Sequence, residues 1–90
     1  MIIFGDYFNQ DSRALISICE TANIPYEFRL VDQFERDNFS EAYKMINPNS
    51  TIPTLKAGQT TVIGQKEMYM FLIMTNEKAA EMLYSEKSDV

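Results

Sequence analysis

Two strand-length runs joined by one helix-length segment constrain this chain more than any other feature. Ile2-Ile3-Phe4 is β-branched and aromatic, is bounded by Gly5 and Asp6, and reads as a buried strand with room to extend to Phe8. Beyond it Leu15, Ile18, Cys19 and Ala22 recur at helical spacing, with Asp11 or Ser12 as N-cap and Asn23 and Pro25 as the stop. Tyr26, Phe28 and Leu30 then alternate with Glu27, Arg29 and Val31, the period of a second strand. Two strands joined through a helix lie parallel in one sheet. Their crossover is right-handed, because right-twisted strands return a helix to the sheet in that sense. The first third of the chain is thereby committed to an α/β sheet.

The rest extends that sheet. A polar stretch, Asp32 to Asp37, leads to Asn38, which can cap a short second helix with Glu41 as its reciprocal partner. Asn47-Pro48-Asn49-Ser50 stops that helix. Thr51 to Ala57 and Thr60 to Ile63 flank Gly58-Gln59, a turn of hairpin length, and read as two antiparallel strands. Gly64 opens a third helix carrying Met68, Phe71, Leu72 and Met74, and Asn76 can cap a last helix from Glu77 to about Tyr84. The expected order is β-α-β-α-β-β-α plus a terminal helix, with four strands in one mixed sheet. Residues 1–75 form the domain, and residues 76–90 form the terminal helix and a polar tail.

Composition removes much familiar chemistry. The chain has 90 residues, one cysteine and no histidine. An internal disulfide, a Cys/His zinc site, a Cys-x-x-Cys redox pair and a His-based triad are all excluded. Cys19 falls on the apolar face of the first helix and reads as a small buried side chain. No metal site is expected. A net charge of −5 argues against nucleic acid or an anionic membrane surface as partner. No apolar run approaches the roughly 20 residues of a membrane helix, and no basic-then-apolar leader opens the chain. The expectation is an intracellular protein, in the cytoplasm or in an organellar assembly.

Several short runs carry a resemblance. Asp6-Tyr7-Phe8-Asn9 followed by Arg13-Ala14 and Ile16, then Ile24-Pro25-Tyr26-Glu27, then Asn47-Pro48-Asn49, Ile52-Pro53-Thr54-Leu55 and Gly58 stand in a specific order and spacing. Together they resemble the N-terminal half of the Tyr-type glutathione transferases, nearest the sigma class, over residues 1 to about 74. The resemblance implies a thioredoxin-like α/β fold and glutathione as ligand. In that family a helical domain follows and carries most of the pocket for the electrophile. The 90 residues here do not include it.

The resemblance also implies roles for single residues. Ile52-Pro53 corresponds to a cis peptide that leaves the Ile52 backbone free to pair with the cysteinyl part of glutathione. Tyr7 stands where a hydroxyl hydrogen-bonds the glutathione sulfur and favours its thiolate; the other reading is a strand-end tyrosine packed for shape. Asp6 and Asp11 flank that place, and carboxylates there disfavour a second anion. Gly64-Gln65 stands at the turn that holds the γ-glutamyl carboxylate, without the family's serine, so helix-terminal N-H groups would have to serve. Lys44 falls at a position used for the glycyl carboxylate, against the alternative of a solvated helix lysine. Arg13 matches the motif arginine, against the alternative of a local partner for Asp11 or Glu20.

Two functions follow from these expectations. In the first, the chain is a degenerate transferase-like module, an accessory or structural subunit of a protein assembly. It would dock as a homodimer or into a larger complex through helix 64–74 and the terminal helix, because Met68 to Met74 is apolar all round and such a helix is normally buried all round. In the second, it is a glutathione-binding transferase that activates the thiol with Tyr7.

Overall fold

A computed structural model describes residues 1–76, and the helix expected over Glu77 to Tyr84 lies outside them. Strands β1 (Ile2–Gly5), β2 (Glu27–Leu30), β3 (Thr54–Ala57) and β4 (Thr60–Ile63) form one sheet in the order β2-β1-β3-β4. β1 and β2 run parallel, and β3 is antiparallel to both β1 and β4. Helix α1 (Gln10–Thr21) makes the crossover between β1 and β2, and α3 (Gln65–Thr75) follows β4. A 3-10 turn at Asp37–Phe39 and the one-turn helix α2 (Glu41–Lys44) fill the connection between β2 and β3. Element order, parallel pair and hairpin all agree with the expectation from the sequence.

The boundaries differ for local reasons. β1 ends at Gly5, because Asp6 turns the chain. α1 starts two or three residues earlier than expected. Its N-cap is Asn9, whose side-chain oxygen accepts from the Ser12 N–H, rather than Asp11 or Ser12. Asn38 does not cap α2. Ser40 does, accepting from the Tyr43 N–H, while the Asn38 amide donates to the Ser50 carbonyl at 2.9 Å. β2 is an edge strand, with Leu30 59% exposed and Val31, just after it, buried. β3 begins at Thr54, three residues later than the apolar run that leads into it.

The two faces of the sheet are covered unequally. On one face Ile3 and Leu55 pack with Leu15, Ile18, Cys19 and Ala22 of the α1 region and Met68 and Leu72 of α3. On the other, Phe4, Val31 and Tyr43 make a smaller cluster, with Ile2, Ile46 and Ile52 against it. α3 buries Met68 and Leu72, half-buries Tyr69, Phe71 and Ile73, and leaves Met70 and Met74 exposed.

Candidate functional site

Of the residues singled out by the sequence, Tyr7, Arg13, Ile52, Pro53, Gly64 and Gln65 lie at one end of the sheet. β1, β2 and β4 finish there and β3 begins there, so the N-termini of α1 and α3 lie at the same end. Phe4 pairs with Thr54, and Thr54 pairs with Ile63. Continuing that register by one residue sets Pro53 between Gly5 and Gly64. Two of the three residues in this row are glycines, with Ser12 beside Gly5 and Glu67 beside Gly64, and the row marks the candidate groove. The Ile52–Pro53 peptide is cis. The Ile52 side chain packs against the smaller cluster, and its backbone N–H and C=O make no hydrogen bond among the described residues.

A polar network fixes the segment before Pro53. The Tyr43 hydroxyl donates to the Thr51 carbonyl and also lies 2.6 Å from Thr54 Oγ1. The Asn47 amide donates to the Thr51 carbonyl, Thr51 Oγ1 and Thr54 Oγ1. Its oxygen accepts from the Asn49 N–H at 2.9 Å. Asn47 and Thr54 are fully buried, where an unmet polar group costs most. Burial raises the Tyr43 pKa above its ordinary value, partly opposed by its hydrogen bonds to Thr54 and Asn47. Ser50, φ +57°, closes this loop in the left-handed region, which favours glycine.

The β1–α1 loop is held by hydrogen bonds of its own. Asp6 is 3% exposed, and its two carboxylate oxygens accept from the Phe8 N–H at 2.9 Å and the Gln33 N–H at 3.1 Å. It ties the loop to the segment after β2, and its carboxylate is engaged rather than open to the groove. Buried Ser12 donates to Asn9 and accepts from the Asp6 N–H. A Cβ on Gly5 would lie 2.5 Å from Ser12 Oγ, so the close approach of α1 to β1 requires glycine there. The Arg13 guanidinium donates to the Tyr7 carbonyl at 2.9 Å, and not to Asp11 or Glu20.

The Tyr7 ring stacks on Phe28 of β2, with centroids 4.4 Å apart and planes at 29°. β2 and β3 flank β1 on opposite sides, so this ring lies across β1 from Pro53. Tyr7 is 58% exposed, and Phe8 beside it meets Phe34 edge to face. Lys44 ends α2, exposed, with no ion pair or hydrogen bond to the other candidate residues.

At the start of α3, Gly64 is the N-cap with φ +99° and no side-chain cap. The Gln65 amide donates to the Tyr69 hydroxyl at 2.8 Å, one turn along the helix. The Glu67 carboxylate folds back over Gly64. A Cβ added to Gly64 would collide with its Oε2 and lie 3.2 Å from its Cδ. Sequence reading missed Asp6, Asn9, Asn47 and Glu67 as the groove's organisers. The signal for Glu67 was present, since it stands three residues after the N-cap, the spacing of a reciprocal cap.

Beyond the groove, a hollow of about 440 Å³ is lined by Cys19, Glu20, Asn23, Ile24, Pro25 and Tyr26. The Tyr26 hydroxyl donates to Glu20 there at 2.6 Å, and this bond, aided by burial, pushes the Tyr26 pKa up to about 12. Among the described residues no cluster of metal-ligating side chains occurs, and no helix is long and apolar enough to cross a membrane.

No family model matches the chain. Human glutathione S-transferase theta-1 is 29% identical to it over 70 residues, 78% of this chain and 29% of the relative. The solved structure of human glutathione transferase theta-2, a complex with glutathione and an unknown ligand, superposes with a TM-score of 0.76 at 30% identity, covering 79% of this chain and 29% of that one. Bacterial maleyl pyruvate isomerase, a zeta-class glutathione S-transferase, matches with a TM-score of 0.81 at 21% identity over 86% of this chain and 36% of that one, which speaks to the fold alone. The chain thus spans about a third or less of the proteins it matches. Its homologues are glutathione S-transferases, and its four-stranded sheet with flanking helices is their thioredoxin-like fold. These relatives are of the theta and zeta classes, not the sigma class nearest in motif.

Proposed function

We propose that this chain is a glutathione-transferase-type module that holds a thiol peptide of the glutathione class along Ile52 and Pro53, and that it serves mainly as a binding or accessory part of a protein assembly. The observation that carries the reading is the row Gly5, Pro53, Gly64, with the Ile52 backbone beside it and two helix N-termini at the same end. An extended peptide can pair its main chain with the free backbone N–H and C=O of Ile52, and helix N-termini favour polar or anionic groups. The relative solved with glutathione supports the choice of ligand class.

The position of Tyr7 favours binding over catalysis. Its ring is stacked on Phe28 across β1 from Pro53, so a thiol lying against Ile52 meets backbone before it meets this hydroxyl. In the second reading Tyr7 swings off Phe28 to favour the thiolate, with Arg13, which already holds the Tyr7 carbonyl, as its support. Assembly through α3 rests on Met70 and Met74, whose exposure leaves an apolar strip for another chain.

Amide chemical shifts during titration with millimolar reduced glutathione test the first reading. Shifts confined to Ile52, Gly64, Gln65 and their neighbours are expected, and no shift at those amides overturns it. Tyr7→Phe should leave binding unchanged; loss of activity toward an aromatic halide electrophile on this change would favour the second reading. Sedimentation of the native particle tests assembly, with a stable monomer at micromolar concentration counting against it.

A further inference from the structure

The hollow beside Tyr26 lies at the opposite end of the sheet from the groove, where α1 ends and β2 begins with the Glu27 N–H donating to the Met1 carbonyl. Its volume of about 440 Å³ is ordinary for a small-ligand site. Its charge has one sign. Glu20 is the one charged side chain in the lining, and no basic residue stands in the last turn of α1 to offset the carbonyl end of that helix. The Ile18, Cys19 and Glu20 carbonyls accept from the Ala22, Ile24 and Asn23 N–H groups. The Thr21 carbonyl finds no N–H four residues on, because Pro25 carries none. Arg13, on the same helix, is engaged at its other end by the Tyr7 carbonyl.

The Glu20 carboxylate is also held in place. Its Oε1 accepts from the Tyr26 hydroxyl at 2.6 Å, and this bond first, then burial, pushes the Tyr26 pKa up to about 12, so the phenol donates throughout the neutral range. Glu20 makes no ion pair among the described residues, and its Oε2 makes no hydrogen bond among them. An oriented carboxylate with one open oxygen, set beside an aromatic ring and the apolar Ile24 and Pro25, suits a flat cation on an aliphatic stem. We propose that this hollow is a binding site for a guanidinium group, with its N–H donors directed to Glu20 and its plane laid against Tyr26. An ammonium would meet the charge without using the ring's flat face. The site is separate from the groove and independent of the glutathione-class reading. A free small guanidine and an arginine of a partner protein carry the same group.

Amide chemical shifts of the full chain, followed at low ionic strength during titration with N-acetyl-arginine amide, are the test. Shifts concentrated at Glu20, Asn23, Ile24 and Tyr26 are expected, with a Kd on the order of 1 mM, the scale of one charged contact at an open site. N-Acetyl-citrulline amide, which keeps the shape and loses the charge, should bind about tenfold more weakly, and N-acetyl-lysine amide severalfold more weakly. Butylguanidinium separates the two sources. Binding as tight as that of the arginine probe assigns the site to a free small guanidine, and weaker binding assigns it to an arginine side chain. Glu20→Gln should also lower the affinity for the arginine probe about tenfold. The probe comparison uses the unaltered chain, so it stands whatever the variant does. Shifts spread over the acidic surface, no shift at these four amides, or a citrulline or lysine probe bound as tightly as the arginine one overturns the inference. So does an affinity unchanged by Glu20→Gln in a variant with an unaltered circular dichroism spectrum.

Discussion

Thr54 and Leu55 are neighbours in β3, both fully buried, and they belong to two different ways of holding a sheet. Leu55 faces α1 and α3 in a core without polar partners, where shape and apolar area decide stability. Thr54 faces the other way, into the hydrogen bonds of Tyr43 and Asn47. That second face is covered by one turn of helix and a few apolar side chains, too little to fix a loop by packing alone. Directional bonds do it instead, and the loop they fix is the one that delivers Pro53 to the groove. The apolar face stabilises the fold, and the polar face places the candidate site.

The largest test of that division is Leu55→Ala. It should cost about 3 kcal/mol, within the usual range for a buried leucine truncated to alanine, read as a lower midpoint in urea denaturation. Amide shifts of residues 47–53 should stay near their wild-type values, and a collapse of those shifts would break the division. Asn47→Ala should cost about 2 kcal/mol, because it removes the buried amide that serves Thr51 and Thr54, leaving Tyr43 alone to hold them. Here the shifts of Thr51 and Ile52 should move most, whereas a uniform small change over the sheet would show that the network places nothing.

High pH separates the faces more gently. Burial first, and then the neighbouring Glu20 charge, push the Cys19 thiol up to about 11. The folded state therefore holds this proton more tightly than the unfolded chain, whose thiol titrates near about 8.5. The contribution is fully present below about pH 8.5 and is lost as pH rises through about 11. Denaturation free energy should fall over that window, and Cys19→Ala should flatten the fall; an equal slope in the variant assigns it elsewhere. The smallest expected effect is a gain. Ser50→Gly relieves a left-handed backbone of its Cβ, and a rise of about 0.5 to 1 kcal/mol in unfolding free energy is expected. A loss would mean that Ser50 contributes more through its side chain than its φ angle costs.

The apolar face was the legible one. Leu15, Ile18 and Cys19 announce a helix by spacing, and Ile3 and Leu55 fall in runs that only a buried strand explains. The hairpin at Gly58 was equally plain, since a glycine with φ +60° at that place does what the turn needs. The polar face was harder to read, because its meaning lies in partners distant along the chain. Asn38 looks like a cap until Ser50 is known to stand beside it. Asp6 looks like a repulsive charge until Gln33, twenty-seven residues on, is seen donating to it. Tyr7 follows β1 at this end of the sheet, and nothing in its local sequence reveals that Phe28 takes up its ring.

The strand order carries one more consequence. A sheet that runs β2-β1-β3-β4 is open along two margins, each a row of main-chain donors and acceptors that could template a neighbouring molecule. β2 guards its margin with Glu27 and Arg29, both exposed and paired to each other, which an incoming strand would have to desolvate. β4 is four residues long and starts with two exposed threonines, offering little length and little grease. Both margins are thus poor seeds for fibrils, and the sheet can remain small and unclosed without recruiting copies of itself.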